Sequence, residues 1–111
     1  MDDCVFCNII NHSIDSNILL ETPDLIAIDD VLPKAPVHML IIPKKHILSI
    51  NHLETNDAAI GGRMLEAAAE MAKRRGIAEK GYRLVFNVGR DGGQVIPHLH
   101  LHVLGGKKFS E

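Results

Sequence analysis

Three histidines and two cysteines carry most of the chemistry this chain can offer. His98, His100 and His102 alternate with Leu99, Leu101 and Val103. Successive side chains of a β-strand point to opposite faces, so an extended segment sets the three imidazoles in one row and the aliphatic groups on the other side. Neighbouring rings then stand about 6 to 7 Å apart along the strand, from its two-residue rise. A helix would scatter positions two apart around its circumference, and Pro97 before the run and Gly105-Gly106 after it bound a strand. One histidine on a polar strand face is commonplace, and a short His-rich tract can pick up metal opportunistically. Three at period two, opposite a purely aliphatic face, mark an active site. A neutral imidazole is a competent nucleophile when one nitrogen is presented and the other keeps its proton on an acceptor. The middle ring, His100, is flanked on both sides and is best placed for that role.

Cys4 and Cys7 are the only cysteines. Their C-x-x-C spacing has no strand before it, unlike a thioredoxin-like redox motif, and reads as half of a metal site or as a redox pair. Zinc takes four ligands, and this motif supplies two.

The bulk of the sequence narrows the class. With 111 residues, 46% hydrophobic, 23% charged and a net charge of −2, residues 1–111 form one globular domain. No long Lys/Arg run offers the phosphate-neutralising surface that a nucleic acid polymer needs, and Lys44-Lys45 and Lys107-Lys108 read as solvated strand ends. No apolar run is long enough to span a membrane, and the acidic start Met1-Asp2-Asp3 is unlike a secretory signal. A cytoplasmic protein without a membrane partner is expected.

The elements that must position these groups follow from periodicity. Phe6, Ile9 and Ile10 predict a short helix ending near His12. Ile18 to Glu21 and Leu25 to Asp29 read as a hairpin over Pro23-Asp24, and Val37 to Ile42 as a strand covered on both faces and stopped by Pro43. Thr55 to Arg75 is helical, with Ile60, Met64, Ala67, Ala68 and Met71 on one face and a cap at Thr55 or Asn56. Gly61-Gly62 inside it weakens the helix by about 1 kcal/mol per glycine, which predicts close approach to another element or to a second copy. Tyr82 to Val88 is the next strand, with Leu84 and Phe86 alternating and Asn87 opposite Phe86. The glycine-rich turn Gly89 to Gln94 then leads to the three histidines, where its N–H groups form a candidate phosphate cradle. The fold class is α+β, a sheet of about five strands with one long helix on a face and a short N-terminal helix.

The run His98-Leu99-His100-Leu101-His102-Val103-Leu104 resembles the signature of the histidine triad superfamily. Pro36 to His46 (PVHMLIIPKKH) and Asn87 to Gln94 (NVGRDGGQ) resemble two further blocks of its Hint-type branch, in order, so the likeness runs from about Cys4 to Gly106. It implies an antiparallel sheet, a homodimer that joins two sheets, and a purine mononucleotide or nucleotide conjugate as ligand. It also implies a hydrolase or nucleotidyl transferase, with His100 attacking the α-phosphorus of a nucleoside phosphoramidate to form a nucleotidyl-histidine that water cleaves. His102 would donate to a nonbridging oxygen as its charge grows, and His38 would support the cluster. Asn87, Gly92, Gly93 and Gln94 would hold the phosphate, and Asp30 the ribose hydroxyls. Phe6, Ile9, Ile28 and Val31 would form a slot for the base.

Val95 departs from the family, many of whose members carry a small hydroxyl residue there; valine cannot donate to the phosphate or the departing amine. Arg90 is a partial substitute or a solvated loop residue. With the chain ending at Glu111, no long tail is expected to shape leaving-group choice.

Some relatives with this C-x-x-C spend the first triad histidine on a metal. That likeness implies a structural zinc held by Cys4, Cys7, His46 and His98, with no organic cofactor, while His12 and His52 are left as surface residues. A closed Cys₂His₂ set suits a structural rather than a catalytic ion. Two other functional classes remain beside the enzyme. One is a nucleotide-binding regulatory module with little turnover; the other is a zinc hydrolase using the triad as ligands, disfavoured because residues two apart on one strand rarely converge on one metal.

Overall fold

A computed structural model describes residues 4–111; the acidic start Met1 to Asp3 lies outside them. Five antiparallel strands form one sheet in the order β1 (Ile18–Glu21), β2 (Leu25–Asp29), β3 (Val37–Pro43), β5 (Leu101–Gly105), β4 (Arg83–Val85). A short helix α1 (Val5–Ile10) and a long helix α2 (Ala58–Arg74) complete it. Among the described residues no helix is long and apolar enough to cross a membrane.

Alternation along the central strands gives the sheet two cores. Leu25 and Ala27 of β2, Met39 and Ile41 of β3, and Leu99, Leu101 and Val103 pack with Met64, Ala68 and Met71 of α2. On the opposite face Ile26, Ile28, Leu40 and Ile42 pack with Cys4, Phe6 and Ile9 at α1. β3 is buried almost throughout, as its unbroken aliphatic run predicts for a strand covered on both sides.

Several boundaries differ from the sequence reading. Regular pairing of the triad segment begins only at Leu101, because Ile96 to His98 bend, and Leu99 N–H instead donates to Ile47 C=O at 2.6 Å. The alternation survives, since Leu99, Leu101 and Val103 all face α2. The strand expected over Tyr82 to Val88 is regular only at Arg83–Val85, on the sheet edge, and Leu84 is exposed there rather than core. The α-helix expected from Thr55 starts at Ala58, after 3-10 turns at Ile50–His52 and Thr55–Asp57. Its cap is neither Thr55 nor Asn56. Glu54 N–H donates to Asp57 Oδ2 at 3.0 Å while the Glu54 side chain accepts from the Asp57 backbone, and this reciprocal box starts the helix one turn early as a tighter spiral. Among the described residues Gly61 and Gly62 approach no other element: a Cβ on either would meet no atom within 4 Å beyond the helix's own neighbouring backbone. The Lys44-Lys45 pair is engaged, Lys44 with Glu21 at 2.8 Å and Lys45 with the buried Asp57 at 2.7 Å.

Candidate active site

The bend before β5 decides how the triad is used. His98 is fully buried and turns to the N-terminal segment, whereas His100 and His102 face a cavity of about 730 Å³ between α1, β2, β3 and the glycine-rich turn. His100 and His102 have their ring centroids 4.9 Å apart.

Backbone carbonyls set the tautomers. His100 Nδ1–H donates to His98 C=O at 2.7 Å, so the lone pair is on Nε2. His98 Nε2–H donates to Pro43 C=O at 2.8 Å, so its lone pair is on Nδ1. Burial pushes the His98 imidazolium down to about 4 and lowers that of His100. Both rings are neutral at pH 7.

A second relay starts on β3. The N–H of Lys34 donates to His38 Nδ1 at 3.0 Å, which leaves the His38 proton on Nε2. His38 Nε2 lies 2.9 Å from His102 Nδ1 and 3.3 Å from Asp30 Oδ2. With His102 accepting at Nδ1, its own proton sits on Nε2, which faces the cavity; Asn87 Nδ2, 3.4 Å away, is then a second donor beside it and not its acceptor. Burial, then the neighbouring rings of His100 and His38, bring His102 down to about 4, and burial lowers His38 despite Asp30 beside it. The cavity thus holds one bare imidazole nitrogen, on His100, beside one imidazole N–H, on His102.

Phe6, Ile9, Ile28, Val31, Asp30, Asn87, Gly93 and Val95 also line this cavity. Val31 and Val95 are 85% and 88% exposed, at its mouth. Asp30 presents one oxygen toward His38, while the other accepts from Leu32 N–H at 2.9 Å. Two expected phosphate contacts fall elsewhere. Gln94 spends its side chain on backbone, donating to Leu48 C=O at 2.7 Å and Ile96 C=O at 3.0 Å and accepting from Gly89 N–H. Gly92 packs against Val88, whose carbonyl oxygen would lie 2.3 Å from an added Cβ; the glycine serves the turn, not the cavity. Arg90 also stays out, paired with Asp91 in solvent. Lys34 was missed by sequence reasoning: it lines the cavity and its N–H orients His38, and its place between Pro33 and Pro36 just before that histidine was the available signal.

Cys4, Cys7, His46 and His98 converge behind Phe6, with one donor atom from each all within 4.8 Å of one another. Cys4 Sγ and Cys7 Sγ lie 3.3 and 3.6 Å from His98 Nδ1, and Cys7 Sγ lies 3.0 Å from His46 Nδ1. Tetrahedral coordination with Zn–S of about 2.3 Å and Zn–N of about 2.05 Å sets sulfur and nitrogen donors about 3.6 Å apart, so the spacing fits. The Pro43 carbonyl turns the bare nitrogen of His98 to the sulfurs, as an orienting acceptor behind a metal ligand does. Among the described residues the three triad rings do not share one set of potential metal ligands: His98 belongs to this cluster, His102 to a second group with Asp30 and His38, and His100 to neither. His12 and His52 stand apart, against Glu21 and Ser49.

Known proteins resemble this chain in sequence and fold. A purine nucleoside phosphoramidase of Escherichia coli strain K12 is 41% identical over 106 residues, spanning 96% of this chain and 89% of that one. The structure of a HIT family hydrolase from Clostridium thermocellum superposes with a TM-score of 0.97 at 45% identity, over 100% of this chain and 96% of that one. A Zn-bound histidine triad family protein from Mycobacterium smegmatis superposes with a TM-score of 0.81 at 25% identity, over 96% and 76% of the two chains. The HIT domain family model matches residues 11–109. With a family model over most of its length and a relative 41% identical across nearly all of both chains, the chain belongs to the HIT domain family.

Proposed function

We propose that this chain hydrolyses purine nucleoside phosphoramidates by passing the nucleotidyl group first to His100 and then to water. The observation that carries the reading is the hydrogen bond from His100 Nδ1 to the His98 carbonyl, which leaves Nε2 bare and facing the cavity. Attack forms an N–P bond from Nε2 to the α-phosphorus as the P–N bond to the amine breaks, and the amine leaves with a proton drawn from water. A second water then cleaves the nucleotidyl-histidine and restores the neutral ring. His102 Nε2–H donates to a nonbridging oxygen, and a preset donor of this kind acts most on the transition state, where negative charge is greatest. His38 holds the tautomer of His102, and Asn87 and the Gly93 backbone place the phosphate. Asp30 accepts from the ribose hydroxyls, and Phe6, Ile9, Ile28 and Val31 enclose the base.

Zinc is the ion that the Cys₂His₂ set suits, as a closed structural centre; bound there it supplies folding energy rather than reaction chemistry. The cytoplasm, where thiols stay reduced, suits such a site. A homodimer joined at β4 is part of the reading, supported by that edge strand and by the open space at Gly61 and Gly62. Val95, exposed and without a donor, favours a second reading in which the nucleotide binds with little turnover.

Mass spectrometry after rapid mixing with an adenosine phosphoramidate separates the two. One nucleotidyl group on His100, decaying as adenosine monophosphate appears, is expected; tight binding with neither adduct nor product replaces the enzyme by the binding module.

A further inference from the structure

We propose that the Cys/His cluster and the nucleotide cavity are thermodynamically coupled through α1, with Cys4 and Cys7 acting as positioning residues for the wall of the cavity. The inference rests on the reading of the two sites given above.

α1 has six residues, far below the length at which a helix holds itself together in water. Two sets of contacts dock it on the sheet. Cys4, its N-cap, and Cys7 turn to His46 and His98. Phe6 and Ile9 are buried against Ile26, Ile28, Leu40 and Ile42, and the same two side chains line the nucleotide cavity. One turn of helix thus carries half of a metal site and part of a binding wall.

Phe6 is the joint. Its ring stands edge-on to His98, centroids 5.9 Å apart, and edge-on to His100 at 5.1 Å, so one side chain touches both a metal ligand and the nucleophile. His98 adds a second link, because its imidazole faces the sulfurs while its carbonyl holds His100 Nδ1.

The core between the sheet and α2 contains no residue of α1. Loss of the ion therefore weakens the docking of α1, leaving it to Phe6 and Ile9, without removing any contact of the α2-side core. The ion needs Cys4 and Cys7 docked beside His46 and His98, and the nucleotide needs Phe6 and Ile9 docked beside Ile28. Both bind the docked state better than the undocked one, so each raises the affinity of the other by the same factor.

Two binding measurements on the whole protein test this without reading activity. Calorimetric titration with adenosine monophosphate compares the zinc-loaded and metal-free protein, with circular dichroism to establish that the metal-free form keeps its sheet and α2. Competition with a chromogenic chelator gives zinc affinity with and without the nucleotide. Zinc is expected to tighten the nucleotide about tenfold or more, a typical coupling, and the nucleotide to tighten zinc by the same factor. Phe6→Ala should still bind zinc, yet its zinc affinity should respond to saturating nucleotide much less than that of the wild type, Ile9 and the His98 carbonyl keeping a residual link. Equal nucleotide affinity in folded loaded and metal-free protein overturns the proposal. Should the metal-free protein unfold, the zinc titrations decide alone: a Phe6→Ala protein whose zinc affinity rises with saturating nucleotide as much as that of the wild type overturns it. Absence of zinc or nucleotide binding in the separate wild-type titrations instead removes the corresponding site reading, and the coupling with it.

Discussion

The carbonyl of His98 lies 2.7 Å from Nδ1 of His100, so a residue that faces the cysteines fixes the tautomer of the one that faces the cavity. His100→Ala removes the attacking nitrogen and none of the proposed base or ribose contacts. Turnover should fall by about 10⁴-fold or more, as when a catalytic nucleophile is deleted, with nucleotide affinity little changed. Single-turnover kinetics beside equilibrium binding checks this, and parallel loss of both would assign His100 to binding.

Asp30 has one oxygen toward His38 and the other on Leu32 N–H. Contacts to ribose do not change as phosphorus is attacked, so Asp30→Ala should act on ground state and transition state alike. A rise in Kd of about 10- to 100-fold is expected from losing charge-assisted hydrogen bonds, with a smaller change in kcat. A fall in kcat at unchanged affinity would place the carboxylate in the relay to His102 instead.

Protein purified without chelator should hold about one zinc per chain, the stoichiometry of a closed four-ligand site. Cys4→Ser and Cys7→Ser should each lose most of it and unfold at lower temperature, because binding energy at such a site is folding energy. Elemental analysis with thermal melts measures both, and full zinc content in either variant would remove that cysteine from the ligand set.

Asp57 accepts from Lys45 Nζ at 2.7 Å and from Glu54 N–H, and these bonds, the lysine first, hold its carboxyl below the ordinary value of 3.8. A carboxylate with a depressed folded pKa contributes stability above its unfolded pKa and loses it as pH falls through the folded one. Asp57→Asn should therefore lower Tm by a few degrees at pH 7, and the gap to wild type should shrink only in acid below 3.8. Melts of the two proteins across pH test it, and a gap that stays constant into acid would show that the charge plays no part.

Gly105 closes β5 where an added Cβ would lie 2.6 Å from Ile77 Cδ1 and 3.0 Å from Ile77 Cβ. The methyl end can move, but the branch carbon cannot without shifting the chain after α2. Gly105→Ala should destabilise the fold by about 1 to 3 kcal/mol, the usual range for overpacking. Denaturant unfolding reads the loss, and Ile77→Ala in the same chain should recover part of it.

The sequence by itself determined the pieces whose cause is local. Alternation of His with Leu and Val put Leu99, Leu101 and Val103 on the α2 side of the sheet, and the aliphatic run from Met39 to Ile42 marked a strand buried on both faces. Both strands of the first hairpin kept their bounds, since a proline turn between short aliphatic runs leaves little else to form. Assignment of His46 and His98 to the cysteines came from family likeness rather than from spacing, and their donor atoms do converge.

Tertiary structure decided what depends on groups far apart in the chain. Period two put three imidazoles in one row, but only the bend at Ile96 to His98 and the Pro43 carbonyl turned the first toward the cysteines. Gln94 lies in the turn expected to cradle phosphate, yet the carbonyls of Leu48, 46 residues away in the chain, and of Ile96 claim its amide. The charge of Lys45 looked like an ordinary solvated end until Asp57 was carried to it across twelve residues of chain. Local pattern fixes which face a side chain points to; which partner waits there is set by the long-range packing of β3, β5 and α1.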